Sequence, residues 1–359
     1  MRKKILFYMN TINRGGAERV LTNLANRFSE NYDVVFTTSF ETVKEYDLKK
    51  SIKRLNLEDG DEGGNFFAKN MRRLFRLRKI IKLENPDLVI SFLAEPNFRS
   101  ILATRFLKVK NIISVRNDPN REYPNFVYRF FAKILYPKAD GCVFQTEDAK
   151  SWFSEKIQKK SKIILNQVDE KFYNVKNDEK RSNIVTVGRL QEQKNHNILI
   201  KAFSKIVDKF PDEKLLLYGD GDKKEELMNL VKSLNLEDRV FFMGVKENIE
   251  EEIKNAKIFV LSSDYEGMPN ALMEAMVLNI PVISTDCPCG GPKYLINHGE
   301  DGFLFKVGDV EELVVYLTKL LENDKLLDKF SNNLKIKSKD FTPDKIFKDW
   351  EDYVLKVME

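Results

Sequence analysis

Residues 258–285 read IFVLSSDYEGMPNALMEAMVLNIPVIST. The run Ile258 to Leu261 is short and apolar, the next residues are polar, and a helix is expected to start near Pro269, a residue favoured in a first helical turn. A second apolar run, Pro281 to Ser284, follows. Strand, loop, helix and strand in that order form the unit of a parallel sheet, which presents ligand-binding loops at its strand C-termini. Glu266 lies in the loop and Glu274 one to two turns inside the helix. The helix N-terminus and the backbone of Gly267, Met268, Pro269 and Asn270 suit an anionic or hydroxyl-rich ligand, and carboxylates accept from hydroxyls. The plainer reading is one loop glutamate and one surface glutamate. The adjoining glycine, proline and apolar strand favour the ligand.

The same alternation runs outward in both directions. Lys4 to Met9, Asp33 to Thr38, Leu88 to Phe92, Asn111 to Val115 and Gly141 to Phe144 read as buried parallel strands. Helical stretches such as Ala17 to Ser29 and Ala68 to Leu83 separate them. The series restarts at Ile184 to Val187 and continues through Lys214 to Tyr218 and Val240 to Met243. The expected fold class is therefore α/β, with two Rossmann-like, doubly wound domains. The polar stretch 166–183 marks the boundary, giving residues 1–168 and 169–342. After Thr342-Pro343, residues 343–359 form an amphipathic helix with Phe347, Trp350, Val354 and Val357 on one face, suited to packing back on the first domain.

At 359 residues the chain can build two cores without metal or disulfide staples. Three cysteines, Cys142, Cys287 and Cys289, fit a reducing compartment better than a secreted scaffold. The apolar run Ile5 to Met9 is too short for a signal peptide, and no stretch approaches a spanning helix, so a soluble cytoplasmic protein is expected. The net charge of +5 is unevenly placed. Residues 1–170 carry 32 Lys and Arg against 21 Asp and Glu; the remainder carries 28 against 34. Either surface composition drifts along the chain, or the first half faces something anionic, a membrane or a phosphate-bearing acceptor.

Two further segments sit just past strand ends. In NTINRGGAERV, Gly15 and Gly16 either make a tight turn or let backbone N–H groups approach an anion. The segment is not GxGxxG, which disfavours a nicotinamide-dependent dehydrogenase. In VGRLQEQKNH, Arg189 and Lys194 are either solvated loop cations or converge on a diphosphate, with Gly188 beside them.

Other patterns are weaker. Asp59-Gly60-Asp61 and Asp220-Gly221-Asp222 spell D-x-D but read as loop and turn, so no metal is expected. Cys287-Pro288-Cys289 with His298 lacks a fourth zinc ligand. His196 reads as a loop contact or plain surface. Lys69 to Lys82 holds seven Lys and Arg and no acid; it is either an ordinary surface helix or a docking face for anionic lipid. FVYRFFAKILYP, residues 126–137, is a second basic aromatic helix. Neither belongs to a known nucleic-acid module, and no nucleic-acid partner is expected.

EGMPNALMEA resembles the E-x7-E motif of the retaining family 4 glycosyltransferases of the GT-B fold. The resemblance covers most of the chain: GGAER, VGRL followed by Lys194, YGDGDKKEEL, FMGVKENI and DGFLF occur in family-like order. It is nearest to members that build bacterial capsule, lipopolysaccharide or related surface glycans. It implies two domains facing across a cleft, a nucleotide-sugar donor, most simply a UDP-sugar, and a glycan or polyprenyl-diphosphate-linked acceptor. It further implies that Arg189 and Lys194 bind the donor diphosphate, while Gly15 and Gly16 close over the phosphates or the reacting sugar from the opposite domain. Glu266 and residues 267–270 would meet the sugar, and Glu274 the ribose. Many relatives place a histidine where NIISVRNDP has Arg116, which can donate to a hydroxyl or phosphate but cannot act as a base. The expected reaction is a leaving-phosphate-assisted front-side substitution with retention and no metal or other cofactor. The rivals are a nucleotide-sugar epimerase of the same fold and a non-catalytic nucleotide-sugar-binding or membrane scaffold protein.

Overall fold

A computed structural model of the chain describes residues 2–13, 15–58, 63, 65–176 and 180–359. Its first sheet joins β1 (Lys4–Met9), β2 (Asp33–Thr38), β3 (Lys53–Asn56), β4 (Leu88–Phe92), β5 (Lys110–Ser114), β6 (Gly141–Phe144) and β7 (Ser161–Ile163). All neighbours pair in parallel, in the order β3-β2-β1-β4-β5-β6-β7. The second sheet joins β8 (Ser182–Val187), β9 (Leu215–Tyr218), β10 (Val240–Gly244), β11 (Ala256–Leu261), β12 (Val282–Thr285) and β13 (Gly302–Phe305). It too is parallel, ordered β10-β9-β8-β11-β12-β13.

Both orders reverse beside their first strand. The chain runs outward from β1 to β3 and then crosses to β4; it runs from β8 to β10 and then crosses to β11. At such a point two loops leave adjacent strands in opposite directions and open a crevice at the strand C-termini. The fold thus marks the loops after β1 and β4 in one unit, and after β8 and β11 in the other.

Side-chain alternation in β1 shows why these strands are apolar throughout. Ile5, Phe7 and Met9 enter one core, with Phe28, Phe36 and Trp350; Leu6 and Tyr8 enter a second, with Leu77 and Ile81. Helices cover both faces, so both must be hydrophobic. β3 carries Lys53 and Arg54 at the sheet edge, where charge discourages pairing with another chain.

The first unit comprises the chain through Asn166 together with Ile346–Glu359; the second is Gln167–Lys345. The division lies two residues before the expected one. The helix Pro343–Met358 is therefore mostly part of the first unit's core. Its Trp350 is fully buried, 5.8 Å from Phe92 between ring centroids, and Phe347 meets Phe28 at 4.9 Å. The Cys142 N–H donates to the Tyr353 hydroxyl at 2.8 Å, and that hydroxyl also donates to the Lys160 carbonyl.

Candidate active site

The loops after β8 and β11 are knitted together at the second unit's reversal point. The Ser262 hydroxyl donates to the Lys194 carbonyl at 2.9 Å, and the Asp264 N–H to the Gln193 carbonyl at 2.8 Å. Gln193 Nε2 donates to the Tyr265 carbonyl at 2.9 Å, and Asn195 Nδ2 to Asp264 Oδ1 at 2.7 Å. These bonds tie the two loops to each other, so the side chains between them are held in register.

Lys194 Nζ lies 2.5 Å from Glu266 Oε1. The Ser263 hydroxyl donates to the same oxygen at 2.6 Å. Both partners of the ion pair are largely buried, which strengthens their attraction and makes either one costly to strand. An ammonium has three donors, so Lys194 keeps two for a ligand. Among the described residues Glu266 Oε2 has no hydrogen-bond partner and can accept from a hydroxyl or amide donor. Arg189 follows Gly188 just past β8; it is exposed, and its guanidinium has no partner among the described residues.

Two close approaches shape these loops. A Cβ on Gly291 would lie 1.8 Å from the Gly267 carbonyl oxygen, and one on Gly219 would lie 1.9 Å from that of Gly188. No side chain fits at either place without moving backbone. The Cys287–Gly290 turn also supports Glu266: the Glu266 N–H donates to the Pro288 carbonyl at 2.7 Å, and the Cys289 N–H to the Glu266 carbonyl at 2.9 Å. Burial pushes the Cys287 thiol up to about 12, so it is no nucleophile near neutral pH. The sequence pattern of these cysteines gave no hint of this supporting role, nor did Ser263, Gln193, Asn195 or Gly291 stand out.

Helix Asn270–Val277 begins one residue later than expected, with Pro269 as its cap. Met268 and Pro269 are buried, and so is Glu274, which is not the surface residue of the plainer reading. His196 is no surface residue either: it is 3% exposed, because it opens a helix whose inner face joins the core. Burial, with the Lys194 charge adding to it, lowers its pKa to about 4, and the imidazole is neutral near pH 7.

Asp220-Gly221-Asp222 is a turn whose Asp220 carbonyl accepts from the Leu190 N–H at 2.9 Å, bracing the Arg189 segment. Asp59-Gly60-Asp61 lies outside the described residues. Among the described residues no group of His, Cys, Asp and Glu is arranged to hold a metal. His298 accepts from the Leu304 N–H at 3.1 Å and packs edge-on against the stacked Phe303 and Tyr316 rings.

In the first unit, Gly15 caps the helix Gly16–Phe28, and the Glu18 carboxylate lies over the space its missing side chain leaves. Arg116 is buried rather than open. Its guanidinium sits 4.4 Å above the Phe92 ring and donates to Asn166 Oδ1, while burial lowers it to about 9, opposed by Glu122. Burial raises Glu122 to about 7. A second buried arginine, Arg99, escaped sequence reasoning. It donates to the Tyr8 hydroxyl at 2.6 Å, to Asn10 Oδ1 at 2.7 Å and to Glu95 Oε2 at 2.6 Å, at the C-terminal end of β1.

Comparison with known proteins adds independent findings. The family model "Glycosyltransferase Family 4" matches residues 14–172, and "Glycosyl transferases group 1" matches residues 167–337. One relative is the Campylobacter jejuni GalNAc-alpha-(1->4)-GalNAc-alpha-(1->3)-diNAcBac-PP-undecaprenol alpha-1,4-N-acetyl-D-galactosaminyltransferase. It is 30% identical over 99% of this chain and 99% of its own. The Escherichia coli UDP-Gal:alpha-D-GlcNAc-diphosphoundecaprenol alpha-1,3-galactosyltransferase is 28% identical over 75% of each chain. Among solved structures, Anabaena HepE in complex with UDP superposes with a TM-score of 0.83 at 18% identity, covering 98% of this chain and 100% of that one.

Proposed function

The chain belongs to glycosyltransferase family 4, with the GT-B fold, and on that premise we propose that it moves a hexose or N-acetylhexosamine from a UDP-sugar to a lipid-linked glycan, with retention of anomeric configuration. The observation that carries the proposal is the Lys194–Glu266 pair held between two hydrogen-bonded loops at the β8–β11 reversal, with the exposed Arg189 on the same loop as Lys194.

The chemistry follows from what each atom has left to give. Arg189 and the two remaining Lys194 donors neutralise the diphosphate as its bond to the sugar breaks. Cationic side chains then meet the charge that a metal would otherwise meet, and the transfer proceeds in EDTA. Glu266 Oε2 and the backbone of residues 267–270 hold the sugar, and Glu274 takes the ribose hydroxyls. His196 is buried and neutral, and Arg116 is a cation, so neither removes the acceptor proton. The departing phosphate oxygen takes it on the same face. Hexoses are usually α-linked in UDP-sugars, and the α products named for the relatives are what retention gives.

The lipid-linked acceptors named for relatives, diNAcBac-PP-undecaprenol and GlcNAc-diphosphoundecaprenol, make a bacterial surface glycan the substrate class proposed here. Among the described residues no helix is long and apolar enough to cross a membrane. The enzyme would reach such an acceptor from the cytoplasmic membrane face.

Calorimetry with UDP, GDP and ADP, followed by transfer assays in EDTA with the anomer read by NMR, tests this. UDP-selective binding and an α-linked product support it. Binding of none of the three nucleotides, or release of a free epimerised sugar nucleotide without acceptor, overturns it.

A further inference from the structure

Helix Phe126–Leu135, FVYRFFAKIL, has more apolar surface than the first unit covers. Ala132 and Leu135 are buried, and the Tyr128 hydroxyl donates to Glu95 Oε1 at 2.8 Å, so these three define the inward side. Phe126, Val127, Phe130, Phe131 and Ile134 are each between 41% and 79% exposed. At 3.6 residues per turn they fill an arc of roughly 140°. Exposed Arg129 and Lys133 occupy the arc beside it; Arg129 Nε donates to the Tyr123 carbonyl at 3.0 Å, which leaves its two terminal amino groups for a ligand. No acidic residue falls between Tyr123 and Ala139, and exposed Arg121 and Lys138 stand at either end.

A contiguous aromatic arc on a surface helix marks a binding face. Its charge selects the occupant. A two-fold contact with a second copy would set Arg129 and Lys133 against themselves or each other, whereas anionic headgroups complement them. The more basic segment Lys69 to Lys82 offers less: Arg73 pairs with Glu58 at 2.7 Å, and Arg72, Arg76 and Arg78 donate to backbone carbonyls. Of its cations only Lys79 and Lys82 are exposed.

We propose that helix Phe126–Leu135 lies in the surface of an anionic bilayer, its aromatic arc at the acyl boundary and Arg129 and Lys133 among the phosphates. This rests on the lipid-linked acceptor proposed above and names the residues that bring the enzyme to it.

Vesicle flotation of the full chain tests the proposal, comparing phosphatidylcholine with phosphatidylglycerol-rich vesicles. The wild type should bind the anionic vesicles and release them in high salt. Phe130→Ser with Ile134→Ser should weaken binding roughly tenfold or more, Arg129→Glu with Lys133→Glu should abolish it, and Lys79→Glu with Lys82→Glu should leave most of it. An unchanged thermal unfolding profile in each variant shows that the first unit, which carries the substitutions, is folded. Wild-type binding by the Phe130/Ile134 variant overturns the proposal. So does loss confined to the Lys79/Lys82 variant, or a dimer that the Phe130/Ile134 change converts to monomer. Vesicle binding without UDP affinity in the wild type would instead refute the transferase reading alone.

Discussion

Arg189 and Lys194 are both basic residues of one loop, yet their removal should have opposite signatures. Arg189 is exposed and its side chain has no partner among the described residues, so Arg189→Ala should change stability by no more than about 0.5 kcal/mol. Its forked guanidinium would give the diphosphate charge-assisted hydrogen bonds of about 1.5–3 kcal/mol each. An exposed site keeps the lower part of that range, so UDP should bind about 10- to 100-fold more weakly. Lys194→Ala leaves a buried Glu266 carboxylate with only the Ser263 hydroxyl. Stranding a buried charge costs about 3–5 kcal/mol, and partial exposure of Lys194 brings this nearer 2–4. Lys194→Met with Glu266→Met should restore most of the stability and none of the UDP affinity. Urea unfolding and calorimetry on the same four proteins measure both quantities. If Arg189→Ala binds UDP like the wild type, or Lys194→Ala is as stable as the wild type, the roles derived from the geometry are wrong.

Three further outcomes follow from packing and titration. Gly291→Ala should destabilise the second unit by roughly 2 kcal/mol or more, measured by thermal unfolding, because its Cβ would meet the Gly267 carbonyl rather than a yielding side chain. Trp350→Ala should cost about 3–5 kcal/mol in chemical denaturation, since the indole is fully buried against Phe92. His196 has a folded pKa of about 4, below its unfolded value of 6.5, so the unfolded chain binds more protons between them. Stability should therefore fall as pH drops from 6.5 toward 4, by at most about 3 kcal/mol, and His196→Gln should flatten that slope in urea titrations.

The strands were legible where burial on both faces forces a continuous apolar run, as in β1, β4 and β6, whose ends match the expected ones. β3 was not, because an edge strand with Lys53 and Arg54 has no such run. Among site residues, Arg189, Lys194 and Glu266 stood out through their place after strands and their family pattern. Arg116 was assigned a ligand by its position, but sequence order could not show that Asn166 and Phe92 enclose it. Ser263, Gln193 and Asn195 went unnoticed for a different reason. The bonds of Gln193 and Asn195 join segments about 70 residues apart, and no local pattern announces such a partner; Ser263 bonds Glu266 only three residues on, but a loop serine carries no signal of its own.

The C-terminal helix gives the chain an order of assembly. A ribosome delivers β1 to β7, then the whole second unit, and only afterwards the helix bearing Trp350. The second unit is contiguous, so it can reach its native core as it emerges. The first must wait with the Phe28 and Phe92 rings uncovered on the side that Phe347 and Trp350 will occupy. The unit translated earlier is thus the later of the two to complete its core, and a stop codon between the second unit and Trp350 would leave that core open to aggregation or proteolysis.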